Sequence, residues 1–192
     1  MPSSIDKIVE GFPFQTIDPI IRAANYEKIA EVQLKLNVNA ASVHSYLTKG
    51  AFGILYLTLS PSVYYTLSAT TFIVPVYPGT DPVISTGSTA PQKSDIRYAF
   101  MTVENLFNEY DCTDKSLRQQ LLSSVDKICV HSLRHKYIGY GNTTTCEMFN
   151  NLYSTYANIS PSDLKENNAR LCNPYDANHP IENLTDQIEN DV

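Results

Sequence analysis

The chain reads as a mainly α-helical bundle with an extended N-terminal arm and one long Pro-rich loop. Three features predict this. Apolar residues recur every three or four positions over most of residues 94–192, the period of a helix with one buried face. Residues that cap helices head these segments: Thr144 with Glu147 three positions on, and Ser160 followed by Pro161. Proline and glycine cluster between the periodic runs rather than inside them.

Taken in order, residues 1–24 carry Pro2, Pro13 and Pro19 with Phe12 and Phe14 between, which predicts an extended arm pinned to the body by those rings. Residues 25–71 form an N-terminal helical lobe. Tyr26, Ile29, Ala30, Gln33 and Leu36 suit a helix capped by Asn25, although Val32, Leu34, Leu36 and Val38 also alternate with polar residues as a strand would. Val43, Tyr46 and Leu47 predict a second short helix. Gly50 to Thr80 holds no charged residue, yet Pro61 interrupts its apolar run well short of the roughly 20 residues that cross a bilayer. Residues 51–59 are therefore expected to form a buried core helix, followed by Val63, Tyr64 and Leu67 as inward residues.

Residues 72–93 contain Pro75, Pro78, Pro82 and Pro91 with Gly79 and Gly87, a composition that cannot sustain a helix and predicts a long loop. The rest, 94–192, is a helical bundle. Ser94 is expected to cap a helix striped by Ile96, Ala99, Phe100, Val103, Leu106, Phe107 and Tyr110, and Thr113 a second one carrying Leu117, Leu121, Val125, Ile128 and Ser132 as far as the Gly139 and Gly141 pair. The capping box at Thr144 and Glu147 opens a third, with Met148, Phe149, Leu152, Tyr153 and Tyr156 on one face. The last two should pair as an αα-hairpin, and the helix from Ser94 completes a three-helix core. Beyond Ala157, Ser160 caps another helix with Ile159 stapled to Leu164; Asn173 and Pro174 end it, and His179 and Pro180 start one more with Ile181, Leu184 and Ile188 inward. That helix is still amphipathic at Val192, which predicts a larger domain truncated there.

Composition narrows the function. A net charge of −6 and a pI near 5.1 disfavour a dedicated nucleic-acid binder, which needs clustered Lys and Arg to neutralise phosphates. Lys115, Arg118, Lys127, Arg134 and Lys136 gather mid-chain, a weak basic patch or simply solvated surface, whereas acids dominate the end. Cys112, Cys129, Cys146 and Cys172 form no Cys-x-x-Cys pair, so neither a zinc ribbon nor a redox motif is present. Reduced thiols and the lack of a positive-then-apolar leader predict a cytoplasmic protein with no membrane partner. The Asn-x-Ser/Thr triplets at Asn142, Asn158 and Asn183 then carry no weight.

Candidate chemistry is thin. His131 and His135 have the four-residue spacing of two metal ligands on a helix, with Cys129 near, but no third ligand is marked. Cys129 or Cys146 could be paired on paper with His44 or His179 as a nucleophile and base, although buried structural cysteine is far commoner. Gly50 to Gly53 and Gly139 to Gly141 lack the context of a phosphate loop. Tyr137, Tyr140, Tyr153 and Tyr156, among 13 tyrosines, could stack on bases, but core packing explains them as well. Catalytic, cofactor-binding and metal residues are therefore all expected to be absent, and with them any small-molecule substrate.

The run Thr144, Glu147, Phe149, Leu152, Tyr156 resembles the Thr-x-x-Glu-x-Trp-x-x-Leu-x-x-x-Tyr helix of Gag capsid proteins from copia-type LTR retrotransposons. Phe149 stands where that family has tryptophan, and the chain has no Trp. Residues 180–188 are similar to the helix that follows in such capsids, so the resemblance covers the second half well and the first half loosely. It implies a capsid-like bundle without enzymatic activity, self-associating through weak repeated contacts into virus-like particles around the element's RNA. The family's zinc knuckle, its usual RNA contact, is absent, so RNA would be reached indirectly or through a downstream region. The alternatives are a cellular interaction adaptor of retrotransposon origin that uses the 72–92 loop and, further off, a Cys/His hydrolase.

Overall fold

The computed structural model describes residues 4–20, 24–47, 52–68 and 71–157, together with Lys165 and Ala169. It is mainly α-helical, and among the described residues there is no strand, only an isolated antiparallel bridge between His135 and Gly139. The elements are α1 (Ser4–Glu10), α2 (Tyr26–Ser42), α3 (Pro61–Leu67), α4 (Ala90–Ser124) and α5 (Thr145–Tyr156), with single 3-10 turns at Leu55–Leu57 and His131–Leu133. Of the helices expected after Ala157, only Lys165 and Ala169 are described, both helical, and the rest lies outside the described residues.

The core is made by α2, the C-terminal third of α4, and α5. Ile29, Val32, Leu36 and Ala40 of α2 meet Leu117 and Leu121 of α4 and Met148, Phe149 and Leu152 of α5. For residues 25–42 the helical period prevails over the alternating one. Asn25 Oδ1 accepts from Lys28 N–H at 3.1 Å, and burying Ile29, Val32 and Leu36 leaves Leu34 63% exposed, where a strand would have put it beside them. At the head of α5 both capping-box bonds form: Thr144 N–H donates to Glu147 Oε2 at 2.8 Å, and Glu147 N–H to Thr144 Oγ1 at 3.2 Å.

Several expected elements differ. The arm is extended only from Phe12 onward; ahead of it, residues 4–10 form α1, which packs on α4. Phe12 is buried as expected, but Phe14 is held through its backbone rather than its ring. Asn39 Oδ1 accepts from Phe14 N–H at 2.8 Å, Asn39 Nδ2 donates to Phe14 O at 2.7 Å, and Gln120 Nε2 donates to the carbonyls of Phe14 and Gln15 at 2.9 and 3.0 Å. Asn39 Nδ2 also donates to Gln120 Oε1, so two buried amides play the part of a strand partner for the arm.

Residues 43–47 form no second helix, because Val43 turns extended and Ser45 Oγ accepts from Leu47 N–H in a local turn. Residues 52–59 bury Ile54, Leu55 and Leu57 but form one 3-10 turn instead of a core helix, since Phe52 and Gly53 both adopt positive φ. In α3 the inward residue is Tyr64 alone. Val63 and Leu67 are exposed, because one turn and a half offers the body a single narrow face.

The largest difference is α4. Ser94 and Thr113 were expected to cap separate helices, but one helix of 35 residues runs through both. It starts earlier, at Thr89, whose N–H donates to Gln92 Oε1 at 2.9 Å with Pro91 in the first turn, and no glycine or proline follows to stop it. Thr113 is buried mid-helix, and its hydroxyl donates back to Glu109 O at 2.7 Å. The end also comes early: the Ser123 and Ser124 hydroxyls fold back onto Gln120 O and Leu121 O, and Asp126 Oδ1 accepts from Ile128 N–H to begin a turn. Ile128 is consequently exposed, and Ser132 sits in the 3-10 turn. The expected hairpin survives as α4 against α5, with a connection from 125 to 144 in place of a short one.

Candidate interaction surface

Among the described residues, His131 and His135 do not share a helix. His131 lies in the 3-10 turn and His135 beyond it, exchanging backbone hydrogen bonds with Gly139 at 2.8 and 3.0 Å, so the helical spacing assumed for the pair does not exist. Among the described residues no three His, Cys, Asp or Glu side chains could hold a metal ion. Cys146 Sγ donates to Leu59 O at 3.3 Å, and burial, then the adjacent Glu147, pushes its thiol above the ordinary range. Burial also raises Cys112. The His44 ring lies against Tyr46 at 5.4 Å, and His179 lies outside the described residues. Gly53 closes the end of α2, and Gly139 turns the His135 bridge.

The mid-chain cations divide. Lys115 is paired with Asp111, while Arg118 pairs with Asp114 at 3.1 Å and donates to Thr143 O in the interior. Lys127, Arg134 and Lys136 remain exposed on the α4–α5 connection, with Lys136 Nζ 5.3 Å from the Tyr137 ring centre. Of the tyrosines considered for base stacking, only Tyr137 is exposed. Tyr140 and Tyr156 pack on the core, and the Tyr153 hydroxyl donates to Gln33 Oε1 at 2.6 Å.

What the fold does build is a projecting arm. α4 is about 52 Å long, and its fully buried residues all lie between Thr113 and Ser124. The stripe expected to complete the core is only partly covered: Ile96, Ala99 and Val103 are exposed, and Phe100, Leu106, Phe107 and Tyr110 are half-buried. A strap from Phe72 to Ser88 runs back along it in the opposite direction. Phe72 stacks on Tyr56 at 4.3 Å with planes 8° apart, Tyr64 meets both rings edge-on, and Phe72 lies 6.1 Å from Tyr110. Farther out Tyr77 meets Phe107 at 5.3 Å, and Asp81, Pro82 and Ile84 line a shallow groove with Arg97, Phe100 and Met101.

Strap and helix together expose much apolar surface: Ile73 and Val76 at 77%, Val83 at 99%, and Tyr98 at 74%. Exposed apolar side chains are ordinary singly, but a run of them on one projection marks a contact surface. The sequence signal was present in the uncharged, Pro-rich stretch and the apolar stripe. Periodicity alone predicts a core stripe, because it does not say whether a partner face exists.

The root of the projection carries a titration signature. Burial pushes the phenol of Tyr110 up to about 12, with Asp114 adding to it, and burial does the same for Tyr153, also to about 12. A phenol whose folded value exceeds its unfolded value, near 10, stabilises fully below the unfolded value and loses that stabilisation as pH rises through the folded one. Stability should therefore fall from about pH 10 to about pH 12, and Tyr110→Phe with Tyr153→Phe should flatten that fall in urea titrations at each pH. An unchanged slope in the double variant would contradict the burial of these hydroxyls. No helix among the described residues is long and apolar enough to cross a membrane. No protein family, curated protein or solved structure matches the chain.

Proposed function

We propose that this protein works by association with other copies of itself, as a structural, Gag-like capsid fragment rather than an enzyme. The observation that carries the reading is the projecting half of α4 with its strap, which displays Ile73, Val76, Val83, Tyr98 and Met101 outside the folded core. The α5 helix that resembles the copia-type capsid motif supports it further. Its capping box forms, and Phe149, in the tryptophan position, is 1% exposed at the centre of the core. The described thiols are half-buried, and burial raises those of Cys112 and Cys146, which disfavours the thiolate that a nucleophile needs.

Particle formation through many weak contacts, with RNA enclosed by way of a further region of the polyprotein, is the role this reading assigns. The adaptor reading has one observation in its favour, the shallow groove between strap and α4, which could hold a peptide from another protein. Sedimentation velocity over a wide range of concentration separates the two. A capsid fragment should show a weight-average mass that climbs with concentration, and a strictly monomeric protein would refute self-association and leave the adaptor.

A further inference from the structure

We propose that the projecting half of α4 pairs antiparallel with α4 of a second copy, about a two-fold axis passing beside Met101. This rests on the self-association reading above and names its surface. Ser94, Tyr98, Met101, Asn105 and Asn108 recur every three or four residues and are all exposed, so they form one row down the helix that the body leaves open. Met101, 56% exposed, sits at its middle. Arg97 and Glu104 flank the row on the same side, two turns and about 10 Å apart along the axis. That separation is too long for them to pair within one helix, and among the described residues neither has a salt-bridge partner.

The pattern is complementary to its own reverse. A two-fold axis perpendicular to the helices keeps each side of the row facing the same side of its mate while inverting the direction along it. Arg97 of one copy then meets Glu104 of the other, twice over; Ser94 meets Asn108, Tyr98 meets Asn105, and Met101 meets itself. Parallel pairing would keep Arg97 level with Arg97 and Glu104 level with Glu104 on opposite sides of the row, so no cation would meet a carboxylate. Met101 also lines the groove that Pro82, Ile84 and Phe100 form with the charged Asp81 and Arg97, so the thioether has some apolar surface beside it on both copies. One helix crossing of this length buries less than the ~1,200 Å² of a stable interface, so the pairing is weak and concentration-dependent, as repeated capsid contacts must be.

The test is sedimentation equilibrium of the full chain and three variants, Arg97→Glu, Glu104→Arg and the double charge exchange, with circular dichroism showing that each keeps its helix content. Each single variant should weaken dimerisation at least about tenfold, and the double variant should restore it. Wild-type association that the single variants leave unchanged or strengthen would overturn this surface while self-association by another route stood. A wild-type chain that is monomeric throughout would overturn both.

Discussion

Gly53→Ala is expected to cost about 3 kcal/mol or more. Gly53 has φ of +52° and follows Phe52, which is itself at +62°. This double left-handed turn lets the chain double back so that Ile54 N–H donates to Ala40 O at 2.9 Å, satisfying one of the carbonyls orphaned at the end of α2. A Cβ at Gly53 would lie 2.4 Å from Ala40 O and 2.5 Å from Ala41 O, inside the contact distance of rigid helix backbone. Alanine therefore meets an unfavourable φ and a collision that only separation of α2 from the buried Ile54 can relieve. The built-in comparison is Gly79, at φ +84° with nothing within 4 Å, where alanine should cost only the backbone term of about 1 kcal/mol. Urea midpoints measured on both variants check this, and equal losses would show that the crossing at Ala40 is looser than described.

Arg118→Met should cost about 3 kcal/mol, by leaving a buried carboxylate without its cation. Arg118 and Asp114 are a turn apart on α4 with side chains only 11% and 10% exposed. Asp114 Oδ1 also accepts from Thr145 N–H and Oγ1 at 3.0 and 2.9 Å, which ties the first turn of α5 to α4, and Arg118 reaches Thr143 O just ahead of it. Burial pushes Asp114 above the ordinary carboxylate range, while the Thr145 hydrogen bonds and the Arg118 charge pull it back. Methionine keeps the packing volume and removes the cation, so the carboxyl rises further. A group raised in the fold binds its proton more tightly there than in the unfolded chain, so the folded state gains as pH falls through the folded value. The deficit of Arg118→Met should therefore be largest near neutral pH and shrink towards acid. A deficit that stays flat on acidification would show that Asp114 is already neutral or solvated in the native protein.

Local rules read from the sequence succeeded where a side chain decides the matter within a turn of itself. Asn25, Thr144 with Glu147, and the α2 and α5 faces are of this kind, because a cap or an i,i+4 pair needs no distant partner. They failed where two local signals compete. Ser94 and Thr113 are competent caps, but Thr89 with Pro91 starts the helix first, and an unbroken helix then makes a later cap redundant. Residues 51–59 are apolar enough for a core helix, yet Phe52 and Gly53 bend to reach Ala40, a contact invisible without α2 in place.

The apolar spacing and capping residues by themselves determined that the chain is helical and that α2 and α5 bury the faces they do, because both depend on neighbours three or four residues away. Only the tertiary structure decided that Asn39 and Gln120 grip the arm, that Arg118 is an interior cation, and that the outer half of α4 stands away from the core. Each of those depends on a group far along the chain either arriving to compensate a buried charge or amide, or failing to arrive to cover an apolar stripe. Hydrophobic periodicity is the same in both outcomes; burial is settled by what packs opposite.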